Sequence, residues 1–204
     1  MIVELRQYTL RPGQREMLIE LFDSTLIEPQ EADGMSVLGQ FRDLDRPDRF
    51  VWLRGFPSME ARATSLARFY DGPVWRANRD AANATMIDSE DVLLLRPARE
   101  GSGFALNGAS RASADGVVEA TIAYLDGADA LPAFEREIAP ALGDALLGYF
   151  VTERSENTFP RLPVREGEDV LVWFVRGARP RTQALGLEHP VEVLHLEPTA
   201  RSLL

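Results

Sequence analysis

An internal repeat constrains this chain more than any other feature of its sequence. The segment 2–10 (IVELRQYTL) returns as 117–125 (VVEATIAYL), and each is followed by apolar residues at the i, i+3, i+4 spacing of one helix face. Later anchors pair in the same order: Gly39 with Gly148, Trp52 with Trp173 and Pro97 with Pro198. A repeat of about 100 residues indicates that two copies of one structural unit stand in tandem.

Each copy shows the order strand, helix, strand, strand, helix, strand. This order is typical of a ferredoxin-like α+β module, in which helices cover one face of a four-stranded antiparallel sheet. The strands also carry large apolar residues such as Phe50, Trp52 and Trp173, whose exposure on the other face would cost about 25 cal/mol per Å². We therefore predict that the two sheets pack together as an α/β barrel with the helices outside.

The repeat divides the chain into a first copy, residues 1–97, and a second, divergent copy, residues 117–204. Between them, 98–116 is rich in Gly, Ser and Ala, and we expect it to be a flexible linker. The second copy gains a proline-rich loop, 153–169, and keeps only the short stretch 178–189 of its second helical region. We therefore expect its sheet to be less well covered by helices.

Composition excludes several classes of chemistry. None of the 204 residues is cysteine, which rules out disulfides, thiolate nucleophiles and cysteine-ligated metals. The net charge of −10 argues against nucleic-acid binding, and all 22 basic residues are arginine, which removes lysine Schiff-base chemistry. With only two histidines and no paired acidic residues on one helix face, we predict no metal and no cofactor.

The sequence predicts neither a membrane helix nor an export signal. No apolar run approaches the roughly 18 residues that a membrane helix needs. The N-terminus enters a strand pattern at once, without the layout of a signal peptide. We therefore expect a cytoplasmic protein without a membrane span.

The first strand has one polar face. Alternation sets Glu4, Arg6 and Tyr8 on one side and Val3 and Leu5 on the other. We expect the polar side to look into the barrel and not towards the helices. There, Arg6 would bind a carboxylate or enolate and Tyr8 would donate a hydrogen bond, or else Glu4 and Arg6 would only form an ion pair between the sheets.

Further candidate site residues lie on other strands. His195 stands mid-strand where the first copy has Leu94, and inside a barrel it would be a general base, a haem ligand or a hydrogen-bonded core histidine. The other histidine, His189, is predicted to lie in a loop. Trp52 and Trp173 either form opposing walls of a pocket or pack in the core. The remaining predicted pocket residues are polar or aromatic strand residues: Glu4, Gln40, Arg54 and Tyr149.

Four segments of the first copy carry a family resemblance: ELRQYTLRPG (4–13), WLRGFPSMEAR (52–62), DGPVW (71–75) and LLLRP (93–97). Together they resemble the NIPSNAP family of the dimeric α/β-barrel superfamily. The second copy is similar to the same domain more loosely, and its first strand lacks the Arg and Tyr. The resemblance implies the barrel fold, often further dimerised, and a family whose biochemical activity is largely undefined.

Two functions follow as alternatives. In the first, the barrel binds or transforms a small aromatic or carboxylate-bearing molecule without metal, in a cavity of roughly a few hundred Å³. In the second, the chain is a noncatalytic interaction module that presents an exposed apolar patch, on helix 58–70 or around 178–189. A homodimer is compatible with both functions. Loop 153–169 would either cover the barrel mouth or contact a second subunit.

Overall fold

The computed structural model of the chain describes residues 1–106, 109–111, 116–125, 130–177 and 191–204. Eight antiparallel strands form one closed barrel in the order β1-β3-β2-β8-β5-β7-β6-β4. The strands are β1 (Ile2–Leu10), β2 (Ser36–Asp43), β3 (Arg49–Phe56), β4 (Met86–Pro97), β5 (Val118–Tyr124), β6 (Leu146–Thr152), β7 (Val170–Arg176) and β8 (Val191–Pro198).

Helices cover the outside of the barrel, and among the described residues they are longer in the first copy. There they are α1 (Arg15–Leu21), a π turn (Phe22–Leu26), α2 (Ile27–Ala32), α3 (Met59–Tyr70) and α4 (Pro73–Thr85). The described helices of the second copy are α5 (Ala130–Ala133), a π turn (Phe134–Ile138), α6 (Ala139–Leu142) and a short 3₁₀ turn (Gly143–Ala145). The Ser58 hydroxyl caps α3 by accepting a hydrogen bond from the Ala61 amide. The short stretch 178–189 of the second helical region lies outside the described residues.

The strand order confirms the predicted α/β barrel built from two ferredoxin-like sheets. Strands β4-β1-β3-β2 of the first copy repeat as β8-β5-β7-β6 in the second. The two sheets are also hydrogen-bonded edge to edge, because β2 pairs with β8 and β4 pairs with β6. The barrel is therefore continuous, and neither sheet keeps an unpaired edge strand.

Large apolar side chains fill the interior of the barrel. The inward-facing residues form one buried cluster, which includes Val3, Leu5, Phe41, Val51, Leu53, Leu93, Leu95, Ile122, Phe150, Val172, Phe174, Leu194 and Leu196. An eight-stranded barrel is just wide enough for such side chains to fill it. The expectation of a ligand cavity inside the barrel is therefore wrong.

The segment between the copies is described at 98–106, 109–111 and 116, and parts of it contact both copies: Arg111 bonds to the Val37 carbonyl of the first copy, and other residues pack on the second. The Phe104 ring contacts Phe150 and Phe174 of the barrel core, with centroid distances of 4.7 and 5.0 Å. The Ser102 hydroxyl donates to the Tyr149 carbonyl at 3.0 Å. Phe104 and Ser102 are therefore packed against strands of the second copy.

Candidate functional site

The polar face of β1 lies under the helices of the first copy. Tyr8 belongs to the buried cluster that includes Leu18 and Phe22 of the helical layer, whereas Val3 and Leu5 belong to the barrel interior. The expectation that this face looks into the barrel is wrong. Burial beneath helices is possible because the charges on this face bond to one another and to groups from β3 and α3.

Four charged residues form the first-copy charge cluster: Glu4, Arg6, Arg54 and Arg62. Each is at most 1% exposed. The Glu4 Oε2 atom accepts from Arg6 Nη1 and from Arg54 Nε, both at 2.7 Å. The other oxygen, Oε1, accepts from Arg62 Nε at 2.6 Å. Arginines from β1, β3 and helix α3 thus bond to a single carboxylate.

The charge cluster has more positive than negative charge. Three guanidiniums share the one carboxylate of Glu4, which leaves a net charge of +2. The Nη1 atoms of Arg54 and Arg62 donate to the neutral amide oxygens of Gln30, at 3.3 Å, and Asn157, at 2.9 Å. Their Nη2 atoms are buried and have no hydrogen-bond partner among the described residues. Burying cationic donors without hydrogen-bond partners destabilises the folded state, so a bound anion would stabilise it.

The charge imbalance also determines which proton chemistry the cluster supports. Burial alone would raise the pKa of Glu4, but the guanidiniums of Arg54, Arg6 and Arg62 outweigh it and hold the pKa well below its usual range. Burial lowers the pKa of Arg62, and the neighbouring guanidiniums act in the same direction. Glu4 is therefore ionised at neutral pH and is not suited to act as a general base.

Tyr8 adds a hydrogen-bond donor beside the cluster. Its phenol oxygen accepts a hydrogen bond from Arg6 Nε at 3.0 Å, which leaves the phenol proton available for another acceptor. Burial raises the pKa of Tyr8, so the phenol stays protonated at neutral pH. The arrangement can thus hold an anion and donate a hydrogen bond to a second oxygen.

A small cavity of about 30 Å³ lies beside the cluster, between the sheet and the helices. Its walls include Tyr8, Leu18, Phe22, Leu26, Gln30, Trp52, Phe69, Tyr70, Trp75, Ala82 and Met86. Trp52 borders both cavity and cluster, because the Arg54 guanidinium lies 5.0 Å from the centroid of its ring. The buried Trp52 Nε1 has no hydrogen-bond partner among the described residues. The cavity has room for water-sized groups, far less than the expected few hundred Å³.

Loop 153–169 of the second copy covers this site of the first copy. Asn157 bonds to Arg62, and the Thr158 hydroxyl donates to the Met59 carbonyl at 3.0 Å. Phe159 stacks on Tyr70 with a centroid distance of 6.0 Å. The loop therefore forms a roof over helix α3 and the charge cluster.

The same loop also covers one mouth of the barrel. The Arg165 amide donates to the Val92 carbonyl at 2.9 Å, and its guanidinium bonds to Asp91 and to the Tyr124 hydroxyl. A solvent-open cleft of about 360 Å³ lies between the limbs of the loop. Five carboxylates and two guanidiniums line that cleft. Because negative charge is in excess, the cleft is not suited to bind an anion. These contacts, all within one chain, fit the first of the two roles predicted for the loop, a cover over the barrel mouth.

The predicted site residues fall into two groups. Glu4, Arg6, Tyr8, Trp52 and Arg54 come together under the helices of the first copy. Gln40 joins this group, because it is the register partner of Trp52 and so shares its face of the sheet. Both polar side-chain atoms of Gln40 are buried and unpaired among the described residues.

The other predicted residues lie on the outer side of the second copy. Trp173 and Tyr149 pack against Phe134 in a separate buried cluster, so the two tryptophans do not face each other across a pocket. The prediction that His195 lies inside the barrel is also wrong. Its neighbours Leu194 and Leu196 point inward, and strand alternation therefore turns His195 outward. Its Nδ1 lies 2.7 Å from Asp45 Oδ2, on a half-exposed side chain. His189 lies outside the described residues.

The second copy lacks the excess of positive charge. In the strand register, Glu119 and Trp173 repeat Glu4 and Trp52. The other positions differ: Thr121 replaces Arg6, Ala123 replaces Tyr8 and Val175 replaces Arg54. Among the described residues, the charge cluster is therefore a property of the first copy.

The sequence did not predict four residues that contribute to the candidate site: Gln30, Arg62, Tyr70 and Asn157. A signal for Arg62 was present, because it shares the apolar face of α3 with Leu66 and Phe69 at helical spacing. An arginine on the buried face of an amphipathic helix needs an anionic partner. Asn157 left no comparable signal, since its role depends on where the loop packs.

The surface offers little support for an interaction patch. Five large apolar side chains are exposed among the described residues: Met1, Met17, Leu44, Ile87 and Val191. None lies on α3, so the patch expected on helix 58–70 is absent, and 178–189 lies outside the described residues. In the part of the chain that the structure describes, no three His, Cys, Asp or Glu side chains could share a metal ion. No described helix is long and apolar enough to cross a membrane.

Comparison with solved structures shows the fold of the whole chain. A proposed monooxygenase from Lactobacillus acidophilus is 14% identical, with a TM-score of 0.59, and the match covers 97% of this chain and 93% of that one. A second proposed monooxygenase, from Fusobacterium nucleatum, is 7% identical, with a TM-score of 0.61 and coverage of 97% and 91%. At these identities the likeness concerns the fold alone.

The first copy also resembles shorter proteins. A NIPSNAP family protein of unknown function from Agrobacterium tumefaciens is 24% identical over 50% of this chain and 91% of its own, with a TM-score of 0.46. No curated protein matches the chain. The sequence model of the NIPSNAP family matches residues 3–100, which span the four strands of the first copy except for Ile2. The first copy therefore carries a NIPSNAP domain.

Proposed function

We propose that the first copy binds a small organic anion, such as an aromatic carboxylate, between its sheet and its helices. The observation that carries the proposal is the charge cluster, in which three buried guanidiniums share one carboxylate. Arg54 and Arg62 would bind the anionic group through their unpaired Nη2 atoms. This location replaces the barrel interior, which is filled by apolar side chains.

The walls beside the cluster suit an aromatic body on the ligand. Trp52, Tyr70 and Phe69 border the cavity, and aromatic faces provide large apolar contact areas. Tyr8 would donate a hydrogen bond to a second oxygen of the ligand. Because Glu4 is held ionised by three guanidiniums, the cluster supplies binding and not proton abstraction.

Calorimetric titration with benzoate and with its uncharged analogue benzamide tests this proposal. We expect benzoate to bind and benzamide to bind at least about tenfold more weakly, because a hydrogen bond to a charged group is the stronger kind. Arg62→Met should weaken benzoate binding by at least about tenfold. The control Arg136→Met, which removes an exposed guanidinium from the second copy, should bind benzoate as the wild type does. Equal affinities for benzoate and benzamide, or full binding by Arg62→Met, would contradict the proposal.

A further inference from the structure

Loop 153–169 places a neutral oxygen where the charge cluster needs an anion. Asn157 Oδ1 lies 2.9 Å from Nη1 of Arg62, the same guanidinium whose Nη2 is unpaired among the described residues. An amide oxygen carries only a partial negative charge, and a carboxylate in its place would form a charge-assisted bond roughly twice as strong. The loop therefore satisfies one donor of Arg62 without neutralising its charge.

The geometry of the loop holds this oxygen firmly. Asn157 Oδ1 also accepts from the Phe159 amide at 3.0 Å, and its Nδ2 donates to the Leu162 carbonyl at 2.9 Å. This turn directs the Phe159 ring onto Tyr70, where Phe159 is only 8% exposed. One tight turn thus presents an oxygen to the guanidinium and an aromatic ring to the aromatic wall.

We infer that Asn157 and Phe159 act as an internal stand-in for the ligand of the first copy. By this we mean that they occupy the positions of the ligand's oxygen and ring when no ligand is bound. The inference rests on the proposed function, and it adds that the second copy controls access to the site. An aromatic carboxylate brings the same two groups, an oxygen and a ring, with the full negative charge that the cluster lacks. The cavity of about 30 Å³ has no space for an aromatic ring, so the ring of the ligand would take the place of Phe159 against Tyr70.

Two substitutions at Asn157 test the stand-in with benzoate as the probe. Asn157→Asp places a tethered carboxylate beside Arg62 and should weaken benzoate binding about tenfold, since both anions compete for one guanidinium. Asn157→Ala removes the competing oxygen and should strengthen benzoate binding several-fold. The control Asn83→Asp adds the same charge on the exposed surface of α4 and should leave benzoate affinity unchanged.

A double-mutant cycle provides a readout that needs no ligand. Asn157→Asp loses the bond from Nδ2 to Leu162, so its effect on unfolding is compared in the wild-type and Arg62→Met backgrounds. We expect the coupling between the introduced carboxylate and Arg62 to change the unfolding equilibrium constant by about tenfold in favour of the folded state.

The outcomes separate the two proposals. A coupling of zero, unchanged benzoate affinity in Asn157→Asp, or weaker binding in Asn157→Ala would overturn the stand-in while leaving the proposed function in place. Failure of benzoate to bind the wild type and Asn157→Ala alike would overturn the proposed function, and the stand-in with it.

Discussion

At the scale of single residues, the ratio of guanidiniums to carboxylates around Glu4 sets the properties of the site. A buried ion pair is close to neutral for stability, but a buried charge left without its partner is strongly destabilising. Glu4 is the one carboxylate that pairs with Arg6, Arg54 and Arg62 among the described residues. The fold therefore depends on Glu4 more than on any one of these arginines.

Replacing Glu4 by Gln tests this dependence. Glu4→Gln leaves three buried cations without a carboxylate and should lower the free energy of unfolding by about 3–5 kcal/mol at neutral pH. Because the folded-state pKa of Glu4 lies below its ordinary value of 4.5, this contribution is fully present above that value and is lost as the pH falls further. The difference between wild type and variant, measured by urea unfolding, should therefore be constant at neutral pH and shrink in acid.

The exposed residue Glu20 provides the control for that experiment. Glu20→Gln should change the free energy of unfolding by less than about 0.5 kcal/mol. A Glu4→Gln effect of the same size, or one that stays constant far into the acid range, would show that the carboxylate of Glu4 does not hold the cluster together.

Strand alternation predicts which residues share a face but not where that face points. Glu4, Arg6 and Tyr8 lie on one side of β1, as the two-residue period requires. Both sides of β1 are buried, so polarity alone favoured the wrong side. The deciding information was on α3, where Arg62 stands among apolar neighbours and completes the cluster from outside the sheet.

At the scale of elements, helix α3 and loop 153–169 together build the site on the sheet. The helix buries Arg62 along with Leu66 and Phe69 on the face that meets the sheet. The loop then packs over the helix through Thr158 and Phe159. The sequence shows that the loop is an insertion rich in proline, but its packing partner lies in the other copy, at a long sequence separation that local patterns do not report.

The excess charge on α3 predicts an unusual effect on stability. Arg62→Met removes one of two uncompensated buried cations and replaces it by an apolar chain of similar length. We expect the free energy of unfolding in urea to stay within about 1 kcal/mol of the wild type or to rise, although truncating a paired buried arginine usually costs about 3–5 kcal/mol. A loss in that higher range would mean that Arg62 serves the fold and not a ligand.

At the scale of the whole molecule, the two copies contribute different parts of the candidate site. The closed barrel joins them through the β2–β8 and β4–β6 edges, and its apolar interior belongs to both. The repeat in the sequence was sufficient to predict this architecture. The charge excess lies in the first copy, because Thr121 and Val175 stand where the first copy has Arg6 and Arg54. The second copy contributes the loop that covers the site.

The position of a bound carboxylate within this architecture tests the account most directly. Crystals grown with 4-bromobenzoate allow the bromine to be located by its anomalous scattering. The account predicts one bromine site between the sheet and helices of the first copy, near Trp52, with the carboxylate on Arg54 and Arg62 and the loop displaced from Arg62. A bromine inside the barrel, or in the second copy near Trp173 and not in the first, would contradict it.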